Sequence, residues 1–358
     1  MRSTQRQSRL LQLPAELQQA IFIDCIPNRI HICLQQDKLR CFTCVLSATG
    51  DGENLDDSKR EPGSGAHSNA LWARRLASSW GSHWRCEEMA YTRPRERPMI
   101  QNTPMSLLLV CKEMFFCIEN AMRGTTTVVL TDLETLSFMA SRVNDTQSLK
   151  GDRSLSITPS LLPRVMELNI TLRLPLVDLR SLEEPEDSSL ATAFANTWRR
   201  LHQNLACFKH LQRLQLWLDH DYTSSWYHVN EHAILSTFLS DTMPNYTISI
   251  SLPEFHHKLK DRHRHYMEND PPAGVDLQRR SRLVNFGRRD SQEKPLMAFE
   301  PNFPVSMDIM TEFGNNMSPA EVEAWERNRW ERGEDVAETL RKELDEWAGL
   351  NMCGLHNI

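Results

Sequence analysis

The sequence predicts an α/β fold, or an α+β fold, built on a mixed, mostly parallel sheet with crossover helices. Four short stretches have the composition of strands, at residues 126–130, 165–172, 211–218 and 246–252. Segments with the helical spacing of apolar residues lie between them, at residues 131–138, 190–208 and 230–239. Strands that alternate with single helices favour right-handed crossovers and parallel pairing.

A first helix is predicted to begin at Pro14, because the fixed φ of proline suits the first helical position. Glu16 falls in the first turn, where a negative charge meets the helix dipole favourably. Pro27 is expected to end the helix, since proline cannot continue a helical hydrogen-bond ladder. The sequence thus predicts one short helix close to the N-terminus.

Apolar residues occupy two sides of this helix. One side carries Leu13, Leu17, Ala20 and Ile21. Phe22 and Ile26 lie nearly opposite on the helical wheel. A helix that is apolar on two sides is expected to be buried between two surfaces. One surface is its own domain, and the other is either more of that domain or a partner.

A β-hairpin is predicted next, with strands at residues 29–34 and 38–45 joined by a turn at residues 35–37. Residues 49–69 are rich in Gly, Ser, Asp and Pro and predict a disordered insertion. Two further helices are predicted beyond it, over residues 70–85 and 106–122.

The predicted organisation has four parts. A disordered N-terminus precedes the main domain, and a basic, proline-containing linker joins that domain to a helical tail. These parts span residues 1–9, 10–252, 253–317 and 318–348.

The composition limits the class of protein. The 358 residues are 40% hydrophobic and carry a net charge of −6, which gives no reason to expect nucleic-acid binding. The N-terminus has no apolar signal core, and no apolar run approaches the roughly 20 residues of a membrane span. We therefore expect a soluble intracellular protein, cytoplasmic or nuclear, that is neither secreted nor inserted in a membrane. Its nine cysteines are then expected to be reduced thiols.

Two segments resemble the two ends of an F-box. The first follows the pattern Leu-Pro-x-Glu-Leu-x-x-x-Ile-Phe through Leu13, Pro14, Glu16, Leu17, Ile21 and Phe22. The second is the Leu-Val-Cys-Lys segment at residues 109–112, which continues to Met114 and Phe115. The arrangement is similar to that of a fungal family of unknown function with a Leu-Pro-x-Glu helix, a His- and Cys-containing hairpin and a later Leu-Leu-x-x-Cys-Arg/Lys helix. The resemblance covers residues 10–252.

This resemblance implies a non-enzymatic protein–protein interaction module. An F-box binds the adaptor subunit of a cullin-based ubiquitin ligase, so the chain would be an adaptor for ligase substrates. The contact residues that the resemblance implies are Leu13, Pro14, Leu17, Ile21 and Phe22. The alternative is that the first helix simply packs on its own sheet domain.

A Cys-x-x-Cys pair and a His-x-x-Cys pair predict a zinc site. The four residues are Cys41, Cys44, His83 and Cys86. Four such ligands in two close pairs suit tetrahedral zinc, which would fasten the loose insertion between them. His31 and Cys33 point to the same face of a predicted strand and are alternative ligands. A zinc-stapled structural module is therefore the second hypothesis.

Two further motifs could carry chemistry. His228, Glu231 and His232 match the His-x-x-Glu-His signature of one metallopeptidase group, but the predicted helix begins near Asn230 and leaves His228 in a loop. The acidic turn that begins at Asp219 follows a strand, where sheet proteins often place active sites, yet no nucleophile pairs with it in sequence. The sequence therefore predicts no catalytic residues, and a metal-dependent hydrolase is the third hypothesis.

Overall fold

A computed structural model gives the fold. It describes residues 9–10, 12–45, 75, 77–91, 116–118, 122, 125–144, 164–185, 193–222, 226–236, 245–255, 260–267, 272–280, 282–289 and 295–299, with short stretches between residues 321 and 342. The predicted insertion at 49–69 and most of the predicted helix at 106–122, with its Leu-Val-Cys-Lys segment, lie outside the described residues.

Seven strands form one mixed sheet. They are β1 (Arg29–Gln35), β2 (Lys38–Thr43), β3 (Thr127–Leu130), β4 (Glu167–Leu174), β5 (Arg213–His220), β6 (Thr247–Pro253) and β7 (Val275–Arg280). Their order in the sheet is β2-β1-β3-β4-β5-β6-β7, and β1 pairs with β2 antiparallel while all other neighbours are parallel. The predicted α/β class with a mostly parallel sheet is thus confirmed. Strands β8 (Leu283–Arg289) and β9 (Pro295–Phe299) pair with each other in a separate antiparallel sheet.

Seven helices are described in the segments around these strands. They are α1 (Ala15–Cys25), α2 (Trp84–Tyr91), α3 (Leu133–Asn144), α4 (Leu176–Ser181), α5 (Ala193–Arg199), α6 (Leu201–Leu205) and α7 (Glu231–Leu235). Single 3-10 turns precede α2 and α7, at Gly81–His83 and Trp226–His228. None of these described helices combines the length and the apolar character needed to cross a membrane.

The two faces of the sheet differ in polarity. Each parallel strand lies beside the previous one, so successive right-handed crossovers carry their helices to the same face. That face is apolar and buried, with Leu168, Ile170, Leu214 and Leu216 in one core together with Trp198. The opposite face, here called the polar face, carries the row His31, Val129, Asn169, Gln215, Ser249 and Asp276.

The hairpin of β1 and β2 has the predicted turn. Gln36 and Asp37 connect the strands with φ values of 50° and 59°. Positive φ at both central residues is the geometry of a two-residue hairpin turn whose twist matches that of the strands. This turn fixes the register, which pairs Gln35 with Lys38 and Ile30 with Thr43.

Three sequence predictions about the elements are wrong. The helix predicted at 70–85 is not α-helical at residues 77–83, and the α-helix begins only at Trp84. The single helix predicted at 190–208 is two short helices, because Arg200 leaves the helical region with φ −90° and ψ 6°. The flexible linker predicted at 253–317 contains β7, which completes the sheet beside β6. The sequence of β7 hides this role, because an edge strand needs few apolar residues and β7 is mostly charged or polar.

Candidate functional site

The first helix shows two different apolar sides, as its sequence predicts. Phe22 and Ile26 are buried in the core of the domain, with 2% and 5% of their surface exposed. On the other side Leu17 is 52% exposed and Ile21 is 38% exposed. Pro14, Leu17 and Ile21 form what is here called the outer face of α1, and Leu13 lies half-buried beside it. Phe22, one of the five predicted contact residues, does not lie on this exposed face, because its side chain packs inside the domain's own core.

A second site lies on the polar face, where three of the four predicted zinc ligands meet His31. Cys44, His83 and Cys86 come together with His31, and their four ligand atoms all lie within 4.8 Å of one another. These four residues, here called the His2Cys2 cluster, are all buried. Among the residues that the structure describes, no other group of three or more His, Cys, Asp or Glu ligands comes this close together.

One histidine and one cysteine of the cluster come from the segment before the insertion, and the other histidine and cysteine come from the segment after it. His31 lies on β1, and Cys44 follows β2, where its backbone N–H donates to the carbonyl of Arg29. His83 ends the 3-10 turn and Cys86 lies in the first turn of α2. A spacing of three residues places two helical side chains on the same side. Both pairs therefore point at one position between the hairpin and α2.

Distances within the cluster are short. The sulfur atoms of Cys44 and Cys86 are 3.7 Å apart. His83 Nδ1 lies 3.5 Å from Cys44 Sγ and 3.9 Å from Cys86 Sγ. The same nitrogen is 3.1 Å from His31 Nε2. One ring nitrogen therefore faces three other ligand atoms.

Aromatic stacking orients His31. Its ring stacks on those of Phe42 and Trp80, with both centroids 5.2 Å away. Its Nδ1 atom is buried and has no hydrogen-bond partner among the residues that the structure describes. The orientation that points Nε2 into the cluster therefore comes from ring packing and not from a second hydrogen bond.

The structure does not bring Cys41 into the cluster. Cys41 pairs with Ile32 across the hairpin, and both side chains face the apolar core. Because side chains alternate along a strand, Cys41 and Cys44 lie on opposite faces. Cys33 shares the face of His31 but lies two residues further along the strand, so its sulfur is outside the group. His31, predicted only as an alternative ligand, takes the position that was assigned to Cys41.

The pKa of Cys44, one of the two cysteines in the cluster, shifts in the opposite direction from those of Cys33 and Cys41. A hydrogen bond with Cys86, opposed by burial and aided by contacts with His31 and His83, lowers the pKa of the Cys44 thiol well below its usual range. Burial instead raises the pKa of Cys33 to about 11 and that of Cys41 to about 12. Burial also lowers the pKa of His31, which favours its neutral form, although its hydrogen bond with Cys44 opposes this. A thiolate and a neutral imidazole are the forms that bind metal ions.

The segment that leads into α2 lies across the polar face. The backbone N–H of Arg173 donates to the carbonyl of Ser79, and the Arg173 guanidinium donates to the carbonyl of Ser78. Gly81 lies directly against the ring of Trp217 on β5. Residues 78–91, here called the covering segment, therefore contact the sheet from β1 to β5.

Replacing Gly81 with alanine is expected to destabilise the chain by about 1–3 kcal/mol, because overpacking forces neighbouring atoms to shift. The new Cβ would lie 2.5 Å from Trp217 Cζ3, and φ at Gly81 is +55°, which disfavours a side chain. Urea unfolding measures the loss. In a Trp217→Leu background the same change should cost less, since the ring that it strikes is gone. Equal costs in the two backgrounds would show that Gly81 does not pack on Trp217.

The acidic turn after β5 is used for ion pairing. Asp219 Oδ2 accepts from Arg173 at 3.0 Å, and its Oδ1 accepts from Arg282 at 2.7 Å. Burial alone would raise the pKa of Asp219, but the guanidiniums of Arg282, Arg173 and Arg280 outweigh it and hold the pKa well below its usual range. These contacts give Asp219 a structural role.

The glutamate of the His-x-x-Glu-His motif also forms a buried ion pair. Glu231 is fully buried and pairs with Arg279, with one oxygen–nitrogen distance of 2.5 Å and one of 2.8 Å. Its carboxylate also accepts hydrogen bonds from the Trp226 indole and the backbone of Tyr266. A carboxylate engaged by three donors is not placed to activate water on a metal. His228 lies in the 3-10 turn before the helix, as its sequence predicts.

A polar cleft lies at the carboxyl ends of β4 to β6, where parallel sheets often bind ligands. Its lining residues are Arg180, Glu183, Glu184, Tyr227, His228, Lys260, Asp261, Arg264 and His265. Arg264 pairs with Glu183 at 2.9 Å and donates to the carbonyl of His228. His265 is held by the backbone of Asp261 and the carbonyl of Tyr227. These contacts join the loops that line the cleft.

Comparison with known proteins gives one family. No curated protein and no solved structure was found to match the chain. Residues 3–266 match a family described as a domain of unknown function, DUF7730. That match spans α1, the hairpin, the His2Cys2 cluster and the first six strands of the sheet. It covers well over half of the 358 residues. The chain therefore belongs to the DUF7730 family.

Proposed function

We propose that this chain is a non-enzymatic protein–protein interaction module and that the outer face of α1 is its contact surface. The observation that supports the proposal is the division of α1 into one buried and one exposed apolar side. Single exposed apolar residues are common on proteins. Here Leu17 and Ile21 are four residues apart on the same side of a helix, so they form one continuous apolar surface.

The partner favoured by the F-box-like sequence is the adaptor subunit of a cullin-based ubiquitin ligase. Leu17 and Ile21 are two apolar positions of that pattern, and both are exposed. Phe22 has a different role in this proposal, because it anchors α1 to the domain. The chain would then carry ligase substrates as a degradation adaptor. The structural roles of Asp219 and Glu231 support a function that needs no catalysis.

Co-elution of the purified full chain with that adaptor subunit on a sizing column tests the proposal. We expect a stable complex with the wild-type chain. Leu17→Asp and Ile21→Asp should each weaken binding about 30-fold or more, because a charge in the centre of an apolar contact costs at least as much as losing a hot-spot residue. Binding constants from calorimetry measure the change.

Gln19→Asp is the matched control, because it adds the same charge to an exposed position of the same helix. All three variants should unfold at nearly the wild-type temperature, since exposed substitutions usually change stability by less than about 0.5 kcal/mol. A folded wild-type chain that forms no complex would refute the ligase role. Equal weakening by all three variants would show that the outer face of α1 is not the contact.

A further inference from the structure

We propose that His31, Cys44, His83 and Cys86 bind one zinc ion in tetrahedral coordination. This ion would fasten the covering segment to the hairpin of β1 and β2. The site is independent of the outer face of α1. Its ligand set differs from the one that the sequence spacing predicts, because His31 replaces Cys41.

Four of the six distances between the ligand atoms are close to the edges of a tetrahedron around zinc, and the other two are no longer than 4.8 Å. With Zn–S bonds of about 2.3 Å and Zn–N bonds of about 2.05 Å, the tetrahedral edges are about 3.8 Å for S–S, about 3.6 Å for S–N and about 3.3 Å for N–N. Cys44 and Cys86 are 3.7 Å apart, and Cys44 Sγ is 3.5 Å from His83 Nδ1. His31 Nε2 and His83 Nδ1 are 3.1 Å apart. Cys86 Sγ is 3.9 Å from His83 Nδ1. All four measured edges lie within a few tenths of an ångström of the zinc values.

Hydrogen bonding alone does not explain the same geometry. His83 Nδ1 faces Cys44, Cys86 and His31 at once. A neutral ring nitrogen has either one proton or one lone pair, so it can serve one of the three partners well. Lone pairs on four atoms that converge on one point are satisfied by a cation at that point.

Burial and charge agree with a divalent ion. His31, Cys44, His83 and Cys86 are between 0% and 7% exposed. A buried ion needs compensating charge from its ligands. Two thiolates neutralise a divalent cation, and the two imidazoles add no charge.

The types of ligand favour zinc over other metals, and the number of protein ligands indicates a structural site and not a catalytic one. Tetrahedral sites with two sulfur and two nitrogen ligands favour zinc among the divalent metals. Catalytic zinc sites keep one position open for water, whereas structural sites fill all four with protein ligands. The His2Cys2 cluster fills all four. The ion would therefore hold segments together and would not activate water.

The position of the site shows what the ion would hold. Two ligands lie in the hairpin, and the other two lie in the covering segment, on the far side of the insertion. Trp80 in that segment stacks on both His31 and Phe42. The covering segment has little regular structure before Trp84, so side-chain contacts and the ion fix it on the polar face.

Metal analysis of the purified full chain, with variants chosen from its own cysteines, tests the proposal. We expect one zinc ion per wild-type chain, and near-zero zinc in Cys44→Ser and Cys86→Ser. Cys41→Ser and Cys33→Ser are the matched controls, because both cysteines lie in the hairpin but outside the cluster. Both controls should keep the full zinc content. Zinc retained in Cys44→Ser, or lost equally in Cys41→Ser, would overturn the assignment.

Cobalt substitution keeps the proposal testable where a cluster variant does not fold. The wild-type chain stripped of metal and titrated with Co²⁺ should show the visible bands of tetrahedral cobalt and the sulfur-to-cobalt charge-transfer band. His31→Ala should change the visible bands and keep the charge-transfer band, since both thiolates remain. A folded wild-type chain that binds neither zinc nor cobalt would refute the site. A disulfide between Cys44 and Cys86 in the chain as purified would also refute it.

Discussion

Removal of zinc from the full chain is expected to lower the midpoint of thermal unfolding by roughly 8 to 16 °C. A ligand that binds only the folded state, at a free concentration of about a thousand times its dissociation constant, adds about 4 kcal/mol to the free energy of unfolding. For a domain of this size each kcal/mol shifts the midpoint by about 2–4 °C. Calorimetry with and without a chelator measures the shift.

The variants separate zinc loss from a general effect of the chelator. Cys41→Ser should respond to the chelator as the wild type does. Cys44→Ser should start from the lower midpoint and should not respond, because it has no zinc to lose. Added zinc should restore the wild-type midpoint. An unchanged wild-type midpoint after complete zinc removal would show that the ion contributes nothing to stability.

The loss of zinc should act locally before it acts globally. The covering segment contacts the sheet through a few side chains and two carbonyls, whereas β4 to β6 form the centre of the core. Regions with few buried contacts open at lower free energy than core strands. Hydrogen exchange should therefore rise in residues 78–91 of the metal-free chain while β4, β5 and β6 stay protected.

The sequence predicts the sheet well because local patterns determine it. β-branched and apolar residues mark β3 to β6, and the observed strands begin and end within about two residues of the predicted ones, as is normal for strand boundaries. β7 lacks this pattern: it is the outermost strand of the described sheet, and its residues are mostly polar. Its place in the sheet depends on pairing with β6, which no local pattern reveals.

The spacing of histidine and cysteine identifies three of the four residues in the candidate zinc site. It indicates Cys44, His83 and Cys86, but it also indicates Cys41. The alternation of side chains in β2 shows that Cys41 and Cys44 cannot face the same side. The two-residue turn pairs Arg29 with Cys44, so His31 lies beside Cys44 on the polar face. The hairpin register therefore favours His31 over Cys41 as the fourth ligand.

The partners of Asp219 could not be predicted from the sequence. Arg173 is 46 residues before it and Arg282 is 63 residues after it. Arg282 lies beyond the last predicted strand, in a segment assigned to a linker. In the sequence, an aspartate at the end of a strand that binds a ligand cannot be distinguished from one that pairs with a buried arginine. Only the assembled sheet distinguishes the two.

Replacing Asp219 with alanine is expected to lower the free energy of unfolding by about 3–5 kcal/mol, because it leaves buried cations without their counter-charge. Asp219 is 1% exposed, and the side chain of Arg282 is 3% exposed. Asp219→Asn keeps the volume and loses the charge, so most of the loss should remain. Urea unfolding near neutral pH measures both variants. Asp276→Ala is the control, since Asp276 is exposed on the same face and should cost less than about 0.5 kcal/mol.

The pH dependence separates charge pairing from simple packing. The folded-state pKa of Asp219 is depressed, so its contribution is complete above the unfolded value of about 3.9 and is lost as the pH falls towards the folded pKa. The stability difference between wild type and Asp219→Asn should therefore shrink below about pH 4. Protonation of the four residues of the proposed zinc site should affect both chains equally and cancel in this difference. A difference that stays constant with pH would mean that Asp219 stabilises the fold through its shape and hydrogen bonds, not through its charge.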